Sequence, residues 1–372
     1  MLFKNRIMKI KNHSLWSRKG LASALLLVAV GCKSTSYLAS DTSFGQEKGD
    51  KSFSIAVLPD TQYYTAERHG GTMEMFFNQI NWIIGNQKKE NIAYVIHLGD
   101  ITDHNTAKEW DNAKDALYRL DDKGIPYGLT VGNHDETPNG NPALGADTTL
   151  QTKYFGRSHF VNKPWYGGTM GNNENNDNHF DLFEANGQKF LAMYFVFNQE
   201  GHKKGFFNPD YQKKTLHWAD SVLSRYADRK AIMVTHSMLN RAKDNTESGP
   251  KPGTGNLNSS PELTAQGKAI YKMAKHHPNV FLMLGGHIGG EAFRKDTFQG
   301  NVIKTYLTDY QARQNPPYRG SKDRNGGDGT MRLMRFNTSK QTLSVVTFTP
   351  KADGSVVAET DADSQFTQAL YQ

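Results

Sequence analysis

The stretch Ile92-Ala-Tyr-Val-Ile-His-Leu-Gly-Asp100-Ile-Thr-Asp103 is an apolar run of strand length that stops at a glycine and an aspartate. Strands buried on both faces read as such runs, and open α/β sheets keep their sites beyond the carboxyl ends of parallel strands. The pattern recurs on either side of it. Phe53 to Pro59 leads into Asp60-Thr-Gln62, and Pro126 to Val131 into Gly132-Asn133-His134-Asp135. Ala231 to Thr235 ends at His236, and Val280 to Leu284 at Gly285-Gly286-His287. Five apolar runs each deliver a metal-ligating residue type to what reads as one rim.

Helices fall between the runs. Met73, Phe76, Phe77, Ile80, Ile83 and Ile84 share one helical face, and Thr106-Ala-Lys-Glu109 is a capping box that opens the next helix. The order β-α-β-α-β implies neighbouring parallel strands. Residues 137–178 break the rhythm. Their Tyr154, Phe155, His159, Phe160, Trp165 and Tyr166 mark an ordered lid or substrate wall rather than a spacer. Asn186-Gly187 is a two-residue hairpin turn between His179–Ala185 and Lys189–Phe197. Helices from about Pro209 to Tyr226 and from Pro261 to His276 feed the strands ending at His236 and His287. The last third reads as all-β, over Val302–Thr308, Met331–Phe336 and Thr342–Thr349, and residues beyond 351 read as a loose tail. The expected class is α/β, with two sheets fed by β-α units and helices outside.

The chain of 372 residues is long enough for one large domain or two small ones, and 37% hydrophobic residues supply a substantial core. Its pI near 9.1 invites a nucleic-acid reading until the charge is located. Lys4, Arg6, Lys9, Lys11, Arg18 and Lys19 lie in residues 1–31 without an acid, leaving 38 basic against 37 acidic residues elsewhere. The excess belongs to the leader, so no nucleic-acid partner is expected. After this basic segment come the apolar Leu21–Val30 and then Gly31-Cys32, which holds the sole cysteine. The run is too short to span a bilayer and suits a secretory signal. It resembles a bacterial lipoprotein signal, which implies a lipidated Cys32 and an exported protein anchored in the periplasm or at the cell surface. The organisation read from the chain is signal peptide 1–31, tether 32–51, catalytic domain 52–350 and C-terminal tail 351–372. A single cysteine permits no disulfide within the chain.

Two aspartates, an asparagine and two histidines at strand ends suit Mn²⁺, Fe or Zn²⁺ better than Mg²⁺. Two such ions about 3.5–4 Å apart, sharing one carboxylate, activate a bridging water and clamp a phosphoryl oxygen. Asp100 is the natural bridge. His97, inside an apolar strand, and His217, His276 and His277, on helices, read as structural.

These blocks resemble the calcineurin-like metallophosphoesterases, whose pattern runs Asp-x-His, Gly-Asp-x-x-Asp, Gly-Asn-His-Asp/Glu, a lone His and Gly-His-x-His. The resemblance covers residues 52 to 350. Its Asp60-Thr-Gln62 opening, with Trp165-Tyr-Gly-Gly, Asp309-Tyr-Gln311 and Gly326-Gly-Asp-Gly329, is similar to a bacterial secreted branch. It implies a β-sandwich between helices, in four layers α/β/β/α. It also implies two divalent ions, one on Asp100, Asn133, His236 and His287 and one on Asp60, Gln62 and Asp100. A metal-bridging hydroxide would cleave a phosphate mono- or diester, with His134 as the acid, Asp135 orienting it and Asp103 in support. The implied partner is a small phosphate ester or a phosphorylated glycan or lipid head group. The alternative is a catalytically weak binding protein of the same fold at the cell surface. Gln62 replaces a histidine and keeps a ligating oxygen. Gly289 replaces the final histidine and cannot ligate, so the second ion is expected to bind weakly. Glu291 is the first candidate to replace it and Asp309 the second.

Lipidation gives the first prediction. The intact chain should partition with membranes and the Cys32→Ser chain should not, since anchoring rests on acyl chains worth ~0.8 kcal/mol per buried CH₂. Wild-type chain recovered in the soluble export fraction would contradict it.

Overall fold

Central strands with apolar side chains on both faces need cover on both sides, and the architecture follows from that requirement. The computed structural model describes residues 37–38, 51–137, 139, 148–203, 206–241, 245–246, 249–250, 261–312, 325–360 and 362–371. Cys32 lies outside them, as does Arg313, which with Arg241 and Arg294 is one of three arginines the sequence offers as contacts for a phosphate dianion. Along the chain come β1 (Tyr37–Leu38), β2 (Ser52–Leu58), α1 (Gln62–Thr65), α2 (Met73–Asn86), β3 (Ile92–His97), α3 (Ala107–Asp122) and β4 (Tyr127–Leu129). Next are α4 (Thr149–Phe155), α5 (Arg157–Phe160), β5 (Tyr166–Thr169), β6 (His179–Ala185), β7 (Gln188–Phe195), α6 (Pro209–Arg225) and β8 (Lys230–Thr235). Then follow β9 (Asn245–Thr246), β10 (Gly249–Pro250), α7 (Ala265–Ala274), β11 (Val280–Gly285), β12 (Gly290–Phe298) and β13 (Asn301–Asp309). The series closes with β14 (Met331–Asn337), β15 (Thr342–Pro350), β16 (Val356–Glu359) and β17 (Gln365–Ala369).

One sheet runs β1-β16-β15-β14-β2-β3-β4, with β17 also on β15. The other runs β12-β13-β11-β8-β7-β6-β5. Strands β2, β3 and β4 are parallel, as are β7, β8, β11 and β13. The sheets pack face to face: Phe53 of β2 lies 5.1 Å from Phe190 of β7, and Tyr94 of β3 stacks on Phe183 of β6 at 4.4 Å. The period of two shows which side each residue takes. On β7, Phe190, Ala192 and Tyr194 join the core between the sheets. Leu191, Met193 and Phe195 join a second cluster with Val222 and Leu223 of α6 and Ile270 of α7. Helices α2 and α3 cover the outer face of the first sheet, where Trp82 meets Phe348 at 4.5 Å. The result is the expected four layers, α/β/β/α.

Local signals hold where backbone chemistry decides. Thr106 and Glu109 form the capping box of α3, and Asn186 and Gly187 both take positive φ in the β6–β7 turn. His97 is buried as a structural residue, its Nδ1 accepting from the Gly99 N–H at 3.2 Å and its Nε2 meeting Thr61 Oγ1 at 3.0 Å.

Packing overturns two expectations. The aromatics of 154–166 do not form a substrate wall. Tyr154, Phe155, Phe160 and Trp165 are buried in the main core, with the Trp165 indole N–H donating to the Tyr127 carbonyl at 3.0 Å. Nor do the residues beyond 351 form a loose tail. Both β16 and β17 pair antiparallel with β15, and Leu370 is buried. Among the described residues no helix is long and apolar enough to cross a membrane.

Candidate metal centre

The C-terminal ends of parallel strands from both sheets meet at one rim. Beyond β2 lies Asp60, beyond β3 Asp100, beyond β4 Asn133, beyond β8 His236 and beyond β11 His287. Contacts tie the two sheets together there. The His287 N–H donates to Asp60 Oδ1 at 3.1 Å, and His236 Nε2 lies 3.1 Å from Asp100 Oδ2. One ligand atom from each of Asp100, His236 and His287 lies within 4.8 Å of the others. Asp100 and His287 both adopt left-handed backbone, at φ 48° and 70°. Non-glycine residues hold that conformation only where the surroundings enforce it.

The glycines of the motifs make room for the ligands. A Cβ on Gly132 would sit 2.2 Å from Asp100 Oδ1, and one on Gly286 would sit 2.2 Å from Asp60 Oδ2. Any side chain at either position would displace the carboxylate.

Whether these residues fit metal ions is answered by their unused atoms. Asp60 Oδ2, Gln62 Oε1, Asn133 Oδ1 and His236 Nε2 are buried without a hydrogen-bond partner. His236 Nε2 approaches Asp100 without hydrogen-bond alignment. In three of the four residues the other polar atom is already engaged. Asp60 Oδ1 accepts from His287, Asn133 Nδ2 donates to Asn139 Oδ1 at 3.1 Å, and His236 Nδ1 faces the Leu98 carbonyl at 2.8 Å. A carbonyl only accepts, so Nδ1 carries a proton and Nε2, turned to the rim, is the nitrogen a cation would take. Buried polar atoms normally find partners, and four left over on residues that follow these strand ends are what a cation site would use.

Charge supports the same reading. Burial works against the His236 imidazolium, yet the Asp100 and Asp60 carboxylates hold it up at about 10. Burial opposes ionisation of Asp100, but His236 and His134 hold it well below the usual carboxylate range. Burial and the neighbouring His236 push His287 down to about 3. The same two carboxylates that draw a proton onto His236 would draw a cation, which in binding would displace that proton from Nε2.

His134 is the acid candidate, and it reaches the surface. Its side chain is 30% exposed, against 2% for Asp100 and none for His236. Its Nδ1 lies 2.7 Å from the Asp103 carbonyl oxygen, so Nδ1 carries a proton and Nε2 is free to face a substrate. Burial works against its imidazolium, but Asp100 and Asp103 raise its pKa above the ordinary value. Asp135 was expected to orient His134, and the contacts correct this. Its oxygens accept from the N–H groups of Ile101, Thr102 and Gly132 at 2.8–3.1 Å, fastening the loop after β3 to the loop after β4. The orienting residue is Asp103, which Arg68 holds at 2.7 Å.

A description of the calcineurin-like phosphoesterase family matches residues 53–291. The chain belongs to the calcineurin-like phosphoesterase family. Over 320 residues it is 31% identical to the uncharacterized protein YvnB of Bacillus subtilis, a match covering 83% of this chain. It spans only about a fifth (21%) of that relative's length. Among solved structures it is similar to a dimetal phosphatase from Danio rerio, with TM-score 0.45 and 13% identity, over 83% of this chain and 99% of the other. It is also similar to a 5'-nucleotidase from Candida albicans, with TM-score 0.47 and 13% identity, over 83% and 54%. The family typically binds a dinuclear metal centre, and this chain has candidate ligand residues for one.

Other residues at the rim escaped sequence reasoning. The His202 ring packs edge-on against Phe197 at 4.9 Å and lies 5.4 Å from His287, with Nε2 buried and unpartnered. Its only signal was a histidine after Gly201 in the loop following a strand. Lys203 Nζ donates to the Asn139 carbonyl at 2.8 Å and so braces the partner of Asn133.

Just behind the Gly-Asn-His-Asp loop, Glu136 and Asp177 are buried, and Glu136 Oε1, Glu136 Oε2 and Asp177 Oδ1 have no partner. Burial pushes Asp177 up to about 6, against a Thr148 hydroxyl that pulls it down. Well below pH 4 the carboxyl is neutral in folded and unfolded chains alike. Between about 4 and 6 the unfolded chain ionises while the folded one stays protonated, so above 6 the fold carries the whole penalty, roughly 3 kcal/mol. Asp177→Asn should therefore raise the melting temperature at pH 8 and change it little near pH 4. A variant less stable than wild type at pH 8 would show that something else neutralises this carboxylate.

Proposed function

We propose that the chain is an exported hydrolase of phosphate esters, tethered to a membrane through Cys32. The observation that carries the catalytic part is the set of four unpartnered ligand atoms, together with the part-exposed His134. Asp60, Gln62, Asp100, Asn133, His236 and His287 would hold two divalent ions of Mn, Fe or Zn. Bound there, such ions would supply Lewis-acid stabilisation of developing charge and an activated water.

The chain's own groups do the rest. Asp100 would serve both positions, its Oδ1 held by the His134 N–H at 2.9 Å and its Oδ2 turned to His236. His134 Nε2 donates a proton or hydrogen bond to the leaving oxygen, while the Asp103 carbonyl fixes the ring. Beside His287 opens a cleft of about 470 Å³ that includes Tyr63, Asn240, Arg241 and Gly289. Arg241 would offer a cation to an anionic substituent of the ester. Arg294 is engaged with Asp296 at 2.7 Å on β12. The substrate class that fits is a small phosphate ester or a phosphorylated glycan or lipid head group. Retention of His134, which holds neither metal nor fold, favours turnover over a binding role.

His134→Ala should leave bound metal unchanged and lower the rate about 10²–10⁴-fold on an alkyl phosphate, the usual range for a general acid. The loss should be smaller for a nitrophenyl ester, whose leaving group needs no proton. Equal losses on both esters would remove His134 from the acid role.

A further inference from the structure

The family pattern places a histidine where this chain has Gly289. Glu291, the first candidate to replace it, is committed elsewhere. Its carboxylate is fully buried and accepts from Arg332, from the Tyr310 hydroxyl at 2.8 Å and from Ser364 Oγ at 2.7 Å. Asp309, the second candidate, lies closer. It ends β13, the parallel neighbour of β11, and pairs across β12 with Gly290, next to the gap.

Both oxygens of Asp309 are engaged by one residue. Gln311 donates its backbone N–H to Oδ1 at 2.9 Å and its side-chain amide Nε2 to Oδ2 at 3.2 Å. A carboxylate accepts only, so this contact fixes which end of the amide faces Asp309 and turns the carbonyl oxygen away. That oxygen, Gln311 Oε1, is buried without a partner. Gln311 lines the same cleft as His287 and Gly289. It therefore shares the signature of Gln62 and Asn133, an amide oxygen left over at the rim.

We propose, on the reading above that the rim holds two ions, that Gln311 Oε1 supplies the ligand missing at Gly289, with Asp309 positioning it. The two positions then differ in chemistry. Asp60, Gln62, Asp100 and Gln311 offer oxygen alone, whereas Asp100, Asn133, His236 and His287 include two imidazoles. Oxygen-only sites suit hard cations, and imidazole-containing ones suit Zn²⁺. The centre should be heterometallic by preference, with one borderline ion held tightly and one exchangeable Mn²⁺ or Mg²⁺.

The test is calorimetric titration of MnCl₂ into the chelator-stripped full chain, with bound metal counted after dialysis. Wild type should show two sites of unequal affinity. Gln311→Ala should weaken the second at least tenfold and leave the first unchanged, Asp309→Asn should act in the same direction, and Gly289→His should restore the second site in the Gln311→Ala chain. Gly289 is not among the described residues with positive φ, so its backbone conformation does not itself demand glycine. Glu291→Gln should change stability and not stoichiometry. On wild type alone, Zn²⁺ should fill one site and leave a second that Mg²⁺ or Mn²⁺ occupies. An unchanged second site in Gln311→Ala, or its loss in Asp309→Asn alone, overturns the proposal. No Mn²⁺ bound by wild type would instead defeat the two-ion reading beneath it.

Discussion

Asp100 is an anion almost wholly removed from water, in a backbone conformation that asparagine or glycine adopts more readily. Its φ is 48° and it is 1% exposed. Such a group persists only if its surroundings compensate both costs. The His134 N–H binds one oxygen, His236 faces the other, and Gly132 leaves the space in which the carboxylate lies. Asp135 locks the two loops that make this possible, through N–H groups on each. Remove that brace and the shared ligand loses its position relative to both sheets. The sandwich brings two sets of strand ends to one rim, and Asp100 joins them.

The same constraint explains why motif residues outside the ligand set cannot vary freely. Gly132 and Gly286 are sites of contact with carboxylate oxygens rather than flexible joints. Asp103 acts on His134 through its backbone carbonyl, so its side chain is available to Arg68. Function here depends on distances set by loops whose anchors lie in the core. The imidazole of His236, fully buried, is aimed by a single carbonyl at Leu98.

Much of this was legible because it is encoded locally. Apolar runs ending in Gly-Asp or Gly-Asn-His, the Thr106–Glu109 capping box and the Asn186-Gly187 turn each state their structure within a few residues. What depends on distant packing was not. Tyr154 and Trp165 look alike in sequence whether they line a groove or fill a core, and only the surroundings of α4 and β5 decide. The strands at 356–359 and 365–369 are short and polar on one face, and they exist because the edge of β15 offers them a ladder. Glu291 reads as a spare ligand beside the Gly-His motif, but the strand's period of two turns it toward Arg332. The contacts of Gln311 likewise depend on Asp309 two residues earlier and on a cleft built by other loops.

The central claim is that both sheets contribute strand-end residues to one pair of divalent ions. Crystals grown with MnCl₂ and measured at the manganese absorption edge test it most directly, because anomalous scattering locates the ions without assuming their ligands. Two peaks are expected, one on either side of the Asp100 carboxylate. One should be bounded by Asn133, His236 and His287, the other by Asp60 and Gln62. A rim with no anomalous peak, or peaks away from Asp100, would contradict it.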